Sequence, residues 1–305
     1  MSRCFECPRN CGAERDKGQM GFCGVDAQLR VAKTMLHHWE EPCISGRGGA
    51  GTVFFSGCNL RCVYCQNCEI SHGGKGRAVS EAELEKMIFG LIEAGAECIE
   101  FVTPTHYTAS LSKILQRIKP DLPVRVVWNS GGYEKVESLR LLDGLVDVYL
   151  PDFKYFSPEI AKKYSFAENY CNVALDCIKE MVRQVGKPQF LSNNSPLSPN
   201  LLQNGVIVRH LVLPSHREDS ANVLRLMASE IGADNILLSL MSQYTPDFHK
   251  SMHNSGIIPH LYAPLCRKLT SFEYNSVTQV AQELGFDGYF QQRSSATKEY
   301  TPNFN

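Results

Sequence analysis

The run Cys58-Asn-Leu-Arg-Cys62-Val-Tyr-Cys65 spaces three thiols as C-x3-C-x2-C. It follows directly on an apolar, strand-like segment, Gly51-Thr-Val-Phe-Phe-Ser-Gly57. A tight loop at a strand end turns such thiolates toward one point. Three thiolates can hold three corners of a cubane iron–sulfur cluster, which leaves one iron open. An electron-transfer cluster usually has four cysteines. A missing protein ligand leaves a position for something else, which is the logic of any open metal site.

A second cysteine box precedes the first. Cys4, Cys7, Cys11 and Cys23 are spaced C-x2-C-x3-C-x11-C, interleaved with glycines. The segment shows no hydrophobic period and too little apolar content to fold alone. A four-thiolate metal site would supply the missing folding energy. Zinc and a second iron–sulfur cluster both suit thiolates, and the residues do not separate them. His37, His38 and Cys43 are read as packing or surface groups. Cys68, Cys98, Cys171, Cys177 and Cys266 are read as small buried side chains.

The 305-residue chain carries 31 Lys and Arg against 32 Asp and Glu, a formal net charge of −1. This balance offers no basic footprint for nucleic acid. No run of about 18 apolar residues appears, and the N-terminus shows no apolar signal segment. The expectation is a cytoplasmic protein with no membrane partner. Thirteen cysteines is an odd number, and thiols clustered without a signal segment point to metal rather than disulfides. That load suggests a reducing, anaerobic setting.

The elements that must position these groups alternate in type. Strands are expected over 52–55, 98–102, 124–128, 146–150, 206–212 and 236–240. Helices are expected over 80–94, 109–118, 134–142, 173–185, 220–231 and 277–284. Ser80 and Glu83 form a capping-box pattern at the first of these helices. Short apolar strands separated by helices argue for a parallel sheet covered on both faces. Six units are too few for an eight-stranded barrel, so an open or partial barrel and a doubly wound sheet both fit. Residues 25–50 read as a linker, helical or partly extended. Residues 186–200 read as a long binding or lid loop, and the tail from 291 as polar and frayed.

In parallel α/β folds chemistry gathers at the carboxyl ends of the strands. Those ends carry Cys58, Cys62 and Cys65, then Thr103, Pro104, Thr105 and His106, then Asn129, Ser130 and Gly131. Asp152 and Lys154, Arg209 and His210, and Gln243 and Tyr244 complete the ring.

The run from Cys58 through Cys65-Gln66-Asn67 resembles the signature of the radical S-adenosylmethionine superfamily. The segments Cys7-Pro-Arg-Asn-Cys11-Gly12, Glu40-Glu41-Pro42-Cys43-Ile44-Ser45-Gly46, Tyr149-Leu-Pro-Asp152-Phe-Lys154 and Val208-Arg209-His210 narrow the likeness. They are similar to an uncharacterised branch related to pyruvate formate-lyase activating enzymes. The resemblance implies an α/β fold, a partial (β/α)6 barrel with an N-terminal cysteine-rich metal-binding extension. The expected division is a leader and linker over 1–50, the barrel over 51–245 and a C-terminal extension over 246–305. It implies a 4Fe–4S cluster on Cys58, Cys62 and Cys65, with S-adenosylmethionine on the open iron. Reduction would release methionine and a 5′-deoxyadenosyl radical that abstracts a substrate hydrogen.

By the same resemblance Tyr64 stands against the adenine. The family's Gly-Gly-Glu-Pro motif is not intact; Phe101-Val102-Thr103-Pro104 takes its place, with Thr103 substituting for the glutamate. Asn129 and Ser130 are implied at the methionine or ribose, and Asp152 and Lys154 form a polar pair. Lys154 or Arg209 would balance the methionine carboxylate. Each of these polar groups also fits a salt bridge closing the rim. Implied partners are a reductant protein such as flavodoxin or ferredoxin and, in an activase, a glycine of a partner protein. A small-molecule or peptide side-chain substrate is the alternative. A non-enzymatic electron carrier or redox sensor is a third class, against which the missing fourth cysteine argues. Known activases carry extra clusters after the radical motif, and the stretch from Cys68 to Ser80 leaves no room for that insert.

Overall fold

The structure, a computed structural model, describes residues 3–191, 200–246, 259–291 and Phe304. In chain order its strands are β1 (Arg30–His37), β2 (Ala50–Phe55), β3 (Arg77–Ala78), β4 (Cys98–Val102) and β5 (Arg125–Ser130). There follow β6 (Val148–Pro151), β7 (Gln189–Phe190), β8 (Leu202–Leu211), β9 (Leu237–Met241) and β10 (Gly288–Phe290). They share one sheet in the order β10-β9-β8-β6-β5-β4-β2-β1-β3, with β7 beside β8. Every pairing from β2 across to β10 is parallel. β1 and β3 extend the sheet antiparallel. The result is a mixed α/β sheet resembling a partial barrel. The parallel strands β2, β4, β6 and β9 are buried along their whole length, and β5 at every residue but Asn129. That is why their sequences read as continuous apolar runs rather than alternating ones.

The six expected strands are all present. Four more, β1, β3, β7 and β10, join them from segments read otherwise. The linker contributes β1, whose residues pair with β2 from Val31 opposite Phe55 to His37 opposite Ala50. The end of the chain contributes β10, parallel to β9. The sheet therefore runs across both positions, 50 and 245, where the sequence suggests boundaries. Of the expected loop at 186–200, Gln189 and Phe190 pair with Asn204 and Leu202 as β7, and 192–199 lie outside the described residues. So does most of the tail, although Phe304 meets Phe54 edge-on with centroids 5.4 Å apart.

Helices α3 (Glu81–Glu93), α4 (Thr108–Ile118), α7 (Tyr170–Val185), α8 (Arg217–Glu230) and α9 (Ser271–Glu283) set Leu84, Ile88, Leu111, Ile114, Ile178, Leu224 and Val277 into the core. The shorter α1 (Pro42–Ser45), α2 (Cys68–Ser71), α5 (Val136–Leu139) and α6 (Pro158–Ser165) fill the connections. The capping box read at Ser80 forms: its hydroxyl accepts from Glu83 N at 3.2 Å, and Glu83 Oε2 accepts from Ser80 N at 2.8 Å.

α1 closes the end of the sheet where the parallel strands begin. Its Cys43, Ile44 and Ser45 are buried. Helix carboxyl ends leave carbonyls unsatisfied. Arg125, the first residue of β5, supplies the donors, reaching the carbonyls of Cys43 at 3.1 Å, Ile44 at 3.3 Å, Glu97 at 3.2 Å and Leu202. Arg125→Met should therefore lower stability by about 2–4 kcal/mol, since several buried carbonyls lose their donor together. Urea unfolding checks this, and a loss below about 0.5 kcal/mol would show that Arg125 does not hold the plug.

Two imidazoles are buried inside this frame. His106 Nε2 lies 2.9 Å from the Ser56 carbonyl, and His210 Nδ1 lies 2.6 Å from that of Phe153. A carbonyl partner requires an N–H, so the opposite ring nitrogen is bare, and in both residues it has no partner among the described residues. Burial holds them neutral, His106 down to about 3 and His210 down to about 4. Below pH about 6.5 the unfolded chain takes up protons that the folded chain refuses, so their contribution is complete above that pH and is lost as pH falls toward 4. Urea midpoints measured between pH 7 and 5 should fall in the wild type and fall less in His210→Gln.

Candidate active site

The loop after β2 is pinned from outside by the leader. Cys58 N donates to the Cys23 carbonyl at 3.1 Å. Gly57, at φ +87°, makes this approach possible, for a Cβ there would stand 2.7 Å from the same oxygen. Arg9 spans the gap. Its Nε donates to the Asn59 carbonyl at 2.6 Å and its Nη2 to that of Ser165 at 2.8 Å, while Nη1 takes that of Phe166. The guanidinium also lies over the rings of Phe22 and Tyr133, at 4.0 and 5.1 Å. From inside, Val63 N donates to the Tyr164 carbonyl at 2.9 Å, and Gln66 Nε2 to that of Gln243 at 3.1 Å.

Cys58, Cys62 and Cys65 all line one cavity of about 690 Å3. Each sulfur has a hydrogen-bond donor. Leu60 N reaches Cys58 Sγ at 3.4 Å, Ser165 Oγ reaches Cys62 Sγ at 2.9 Å and Ser71 Oγ reaches Cys65 Sγ at 3.2 Å. Burial pushes the Cys62 thiol up and that of Cys65 up to about 12. Bare, these thiols stay protonated; a coordinated metal would hold them as thiolates. Among the described residues no three His, Cys, Asp or Glu side chains are grouped to hold one metal ion. A cubane asks for a different spacing, because each thiolate meets its own iron. Three soft donors on one loop, each hydrogen-bonded, fit such a cluster.

Around the thiols the strand ends supply Thr103, Asn129, Ser130, Gly131, Asp152, Lys154, Arg209 and Gln243 to the cavity wall. Pro104, Thr105, His106, His210 and Tyr244, also expected in the ring, are not part of that lining. Tyr64 lines the cavity and is buried, its hydroxyl 2.6 Å from that of Tyr155. Thr103 has φ +58°, a left-handed conformation that a β-branched residue rarely adopts. Its N–H donates to the Asn129 carbonyl at 2.9 Å, which ties the β4 and β5 ends together.

Lys154 Nζ meets Asp152 Oδ2 at 2.5 Å. Burial works against its charge, but Asp152 and the Cys62 sulfur outweigh that and raise its pKa. Asn129 Nδ2 donates to Glu100 Oε1 at 2.7 Å, and Ser130 Oγ to Glu134 Oε2 at 2.6 Å. Arg209 is already matched: Glu41 takes its Nε and Nη2 at 3.0 Å each, and Glu40 takes Nη2 as well.

In the leader, a Cβ at Gly21 would lie 3.3 Å from Cys23 Sγ and 3.4 Å from Cys11 Sγ, so these two sulfurs converge. Arg15 Nη1 lies 3.7 Å from Cys4 Sγ. Burial pushes the Cys7 thiol up to about 11. Burial would raise Cys11 too, but backbone N–H groups near Ala13 and Phe22 bring it below its ordinary value. Cys98 and Cys177 are buried as expected and Cys43 is buried as well, whereas Cys68 and Cys171 are half-buried and Cys266 is exposed.

Four contributors escaped the sequence reading as site residues. Glu40 and Glu41 were visible only as part of a motif, and Glu134 only as a helix start. Arg9 sits between two motif cysteines, Cys7 and Cys11, which was the one available signal. Glu134 accepts from Trp128 Nε1 at 3.0 Å, Ser130 and Thr105, and so anchors the wall from behind.

Residues 44–155 match the family model described as a 4Fe–4S single cluster domain. An uncharacterised protein of Methanocaldococcus jannaschii is 28% identical over 296 residues, covering 94% of this chain and 76% of that protein. Among solved structures, a domain of a pyruvate-formate lyase-activating enzyme from Bacteroides vulgatus superposes with a TM-score of 0.44 at 10% identity, covering 65% of this chain and 100% of that one. Spore photoproduct lyase superposes with a TM-score of 0.45 at 13% identity, covering 75% and 70%. Methylornithine synthase gives 0.44 at 12%, covering 62% and 52%. The matched segment contains the three-cysteine loop and runs from α1 through Tyr155. Over residues 44–155 the chain is thus similar to the 4Fe–4S single cluster domain family.

Proposed function

We propose that this chain is a radical S-adenosylmethionine enzyme. The observation that carries the reading is the incomplete cysteine triad facing a large, polar-ringed cavity. Cys58, Cys62 and Cys65 would hold the cluster. A 4Fe–4S cluster with S-adenosylmethionine on its open iron supplies one-electron cleavage of the sulfonium to methionine and a 5′-deoxyadenosyl radical, which takes a hydrogen atom from substrate.

The chain's own residues then have distinct tasks. Ser71, Ser165 and the Leu60 amide donate to the sulfurs and favour negative charge on them. Tyr64 offers an apolar wall for the adenine. Asn129 and Ser130 face the methionine or ribose, their orientation held by Glu100 and Glu134. The Thr103 hydroxyl or carbonyl stands where the family has a glutamate. Lys154, close to Cys62, is the cation for the methionine carboxylate, and Asp152 steadies it. Arg209, held by Glu40 and Glu41, belongs to the cavity floor. Tyr64, backed by the rings of Tyr155, Tyr164 and Tyr244, would limit water near the reacting carbon.

The leader thiols Cys4, Cys7, Cys11 and Cys23 would hold zinc or a second cluster. That metal would fix the Cys23 carbonyl and Arg9 against the cluster loop. The substrate is a glycine of a partner protein on the activase resemblance, or a small molecule or peptide side chain. An electron carrier such as flavodoxin or ferredoxin would reduce the cluster in the cytoplasm of an anaerobe. Among the described residues no helix is long and apolar enough to cross a membrane.

Anaerobically reconstituted protein given S-adenosylmethionine and dithionite should form 5′-deoxyadenosine, and Cys62→Ala should form none. An intact, reducible cluster that yields no product would sink the radical reading. A variant with Cys58, Cys62 and Cys65 all changed to alanine separates the leader's alternatives. About four irons retained means a second cluster, and one zinc means a structural site.

A further inference from the structure

Three buried hydroxyls from different elements form a chain that ends on Cys62. Tyr64 Oη, in the cysteine loop, lies 2.6 Å from Tyr155 Oη, in the turn after β6. Tyr155 Oη lies 2.7 Å from Ser165 Oγ, at the end of α6, and Ser165 Oγ reaches Cys62 Sγ at 2.9 Å. Tyr155 and Ser165 are fully buried and Tyr64 nearly so. The Tyr155 ring is held edge-on by Tyr170, with centroids 5.4 Å apart, and by Tyr64 at 6.5 Å.

A hydroxyl has one hydrogen to give. Cys62 bound to iron would be a thiolate, which only accepts. Ser165 then gives its hydrogen to the sulfur, so its oxygen accepts from Tyr155. Tyr155 in turn accepts from Tyr64. All three hydrogens run in one direction, toward the sulfur, and each bond polarises the next. The other two sulfurs are served differently. Cys58 has the Leu60 amide at 3.4 Å, and Ser71, the donor to Cys65, also meets His72 Nδ1 at 2.8 Å. Hydrogen bonds to the sulfurs of a cluster help set its reduction potential, because they stabilise the added negative charge.

We propose that Tyr155, backed by Tyr64, is a positioning residue for the cluster. It aims and polarises the Ser165 hydroxyl on Cys62 and so makes one-electron reduction easier. This rests on the cluster reading of Cys58, Cys62 and Cys65 above, and not on the cleavage that follows reduction.

The test is a redox titration of anaerobically reconstituted protein without S-adenosylmethionine, with the reduced cluster read by electron paramagnetic resonance. Subtracting the signal of the variant with all three loop cysteines changed to alanine isolates the loop cluster. Tyr155→Phe keeps the ring and removes the oxygen. It should lower the equilibrium constant for reduction about threefold, and Ser165→Ala about tenfold, the latter being about 59 mV for one electron. Ser165→Thr, which keeps a hydroxyl, should stay within about twofold of the wild type. The double variant Tyr155→Phe/Ser165→Ala should match Ser165→Ala alone, since Tyr155 acts through that hydroxyl. An unchanged constant in Tyr155→Phe, or additive effects in the double variant, overturns the proposal. If Tyr155→Phe takes up no cluster, Tyr64→Phe decides: a fall of about twofold supports the chain and no fall overturns it. A wild type that takes up no cluster on the loop removes both this inference and the radical reading. The same preparations are assayed for 5′-deoxyadenosine. Absent product with the expected order of constants removes the radical reading alone, and product with unchanged constants removes this inference alone.

Discussion

The Arg9 guanidinium fills its donors with three backbone carbonyls that belong to separate parts of the chain, Asn59 in the cysteine loop and Ser165 and Phe166 at the end of α6. Its flat face is covered by Phe22 and Tyr133. A planar cation with directed N–H groups can fix three carbonyls at once, which lysine cannot. The α6 end so fixed carries Ser165, whose hydroxyl reaches Cys62. The cysteine leader and the three-thiol loop are thus one mechanical unit. A metal in the leader would stiffen the very backbone that presents Cys58.

The cavity is organised by charge placed at two depths. Near the thiols, Lys154 and Asp152 form a pair whose cation faces Cys62. Deeper, Arg209 is surrounded by carboxyls. The two cations look alike from the sequence, since both follow strand ends. Their partners differ: Lys154 has one carboxylate and a sulfur, while Arg209 has a bidentate Glu41 and Glu40. That difference leaves Lys154, with a single carboxylate partner, the less fully matched of the two cations.

Thr103 and the buried imidazoles show local cost tolerated for position. A β-branched residue at positive φ is held there by the β4 and β5 ends, and strain of this kind concentrates at functional sites. His106 ties the β4 end to Ser56, one residue before the glycine of the cysteine loop. His210 ties β8 to the strand-end turn that carries Asp152 and Lys154.

By itself the sequence determined the parallel sheet, the helix capped by Ser80 and Glu83, and the three-cysteine loop. Each of these is local. A buried strand announces itself by an unbroken apolar run, a cap by two residues three apart, and a cluster loop by thiols within eight positions. β1 and β10 were not legible, because β1 shows no regular alternation of burial and β10 is three residues long. Only the tertiary structure decided that Glu40 and Glu41, at the head of α1, meet Arg209 from β8. Those contacts join residues some 168 positions apart, and a charge's role depends on which partner burial places beside it. Spacing along a chain carries no information about that.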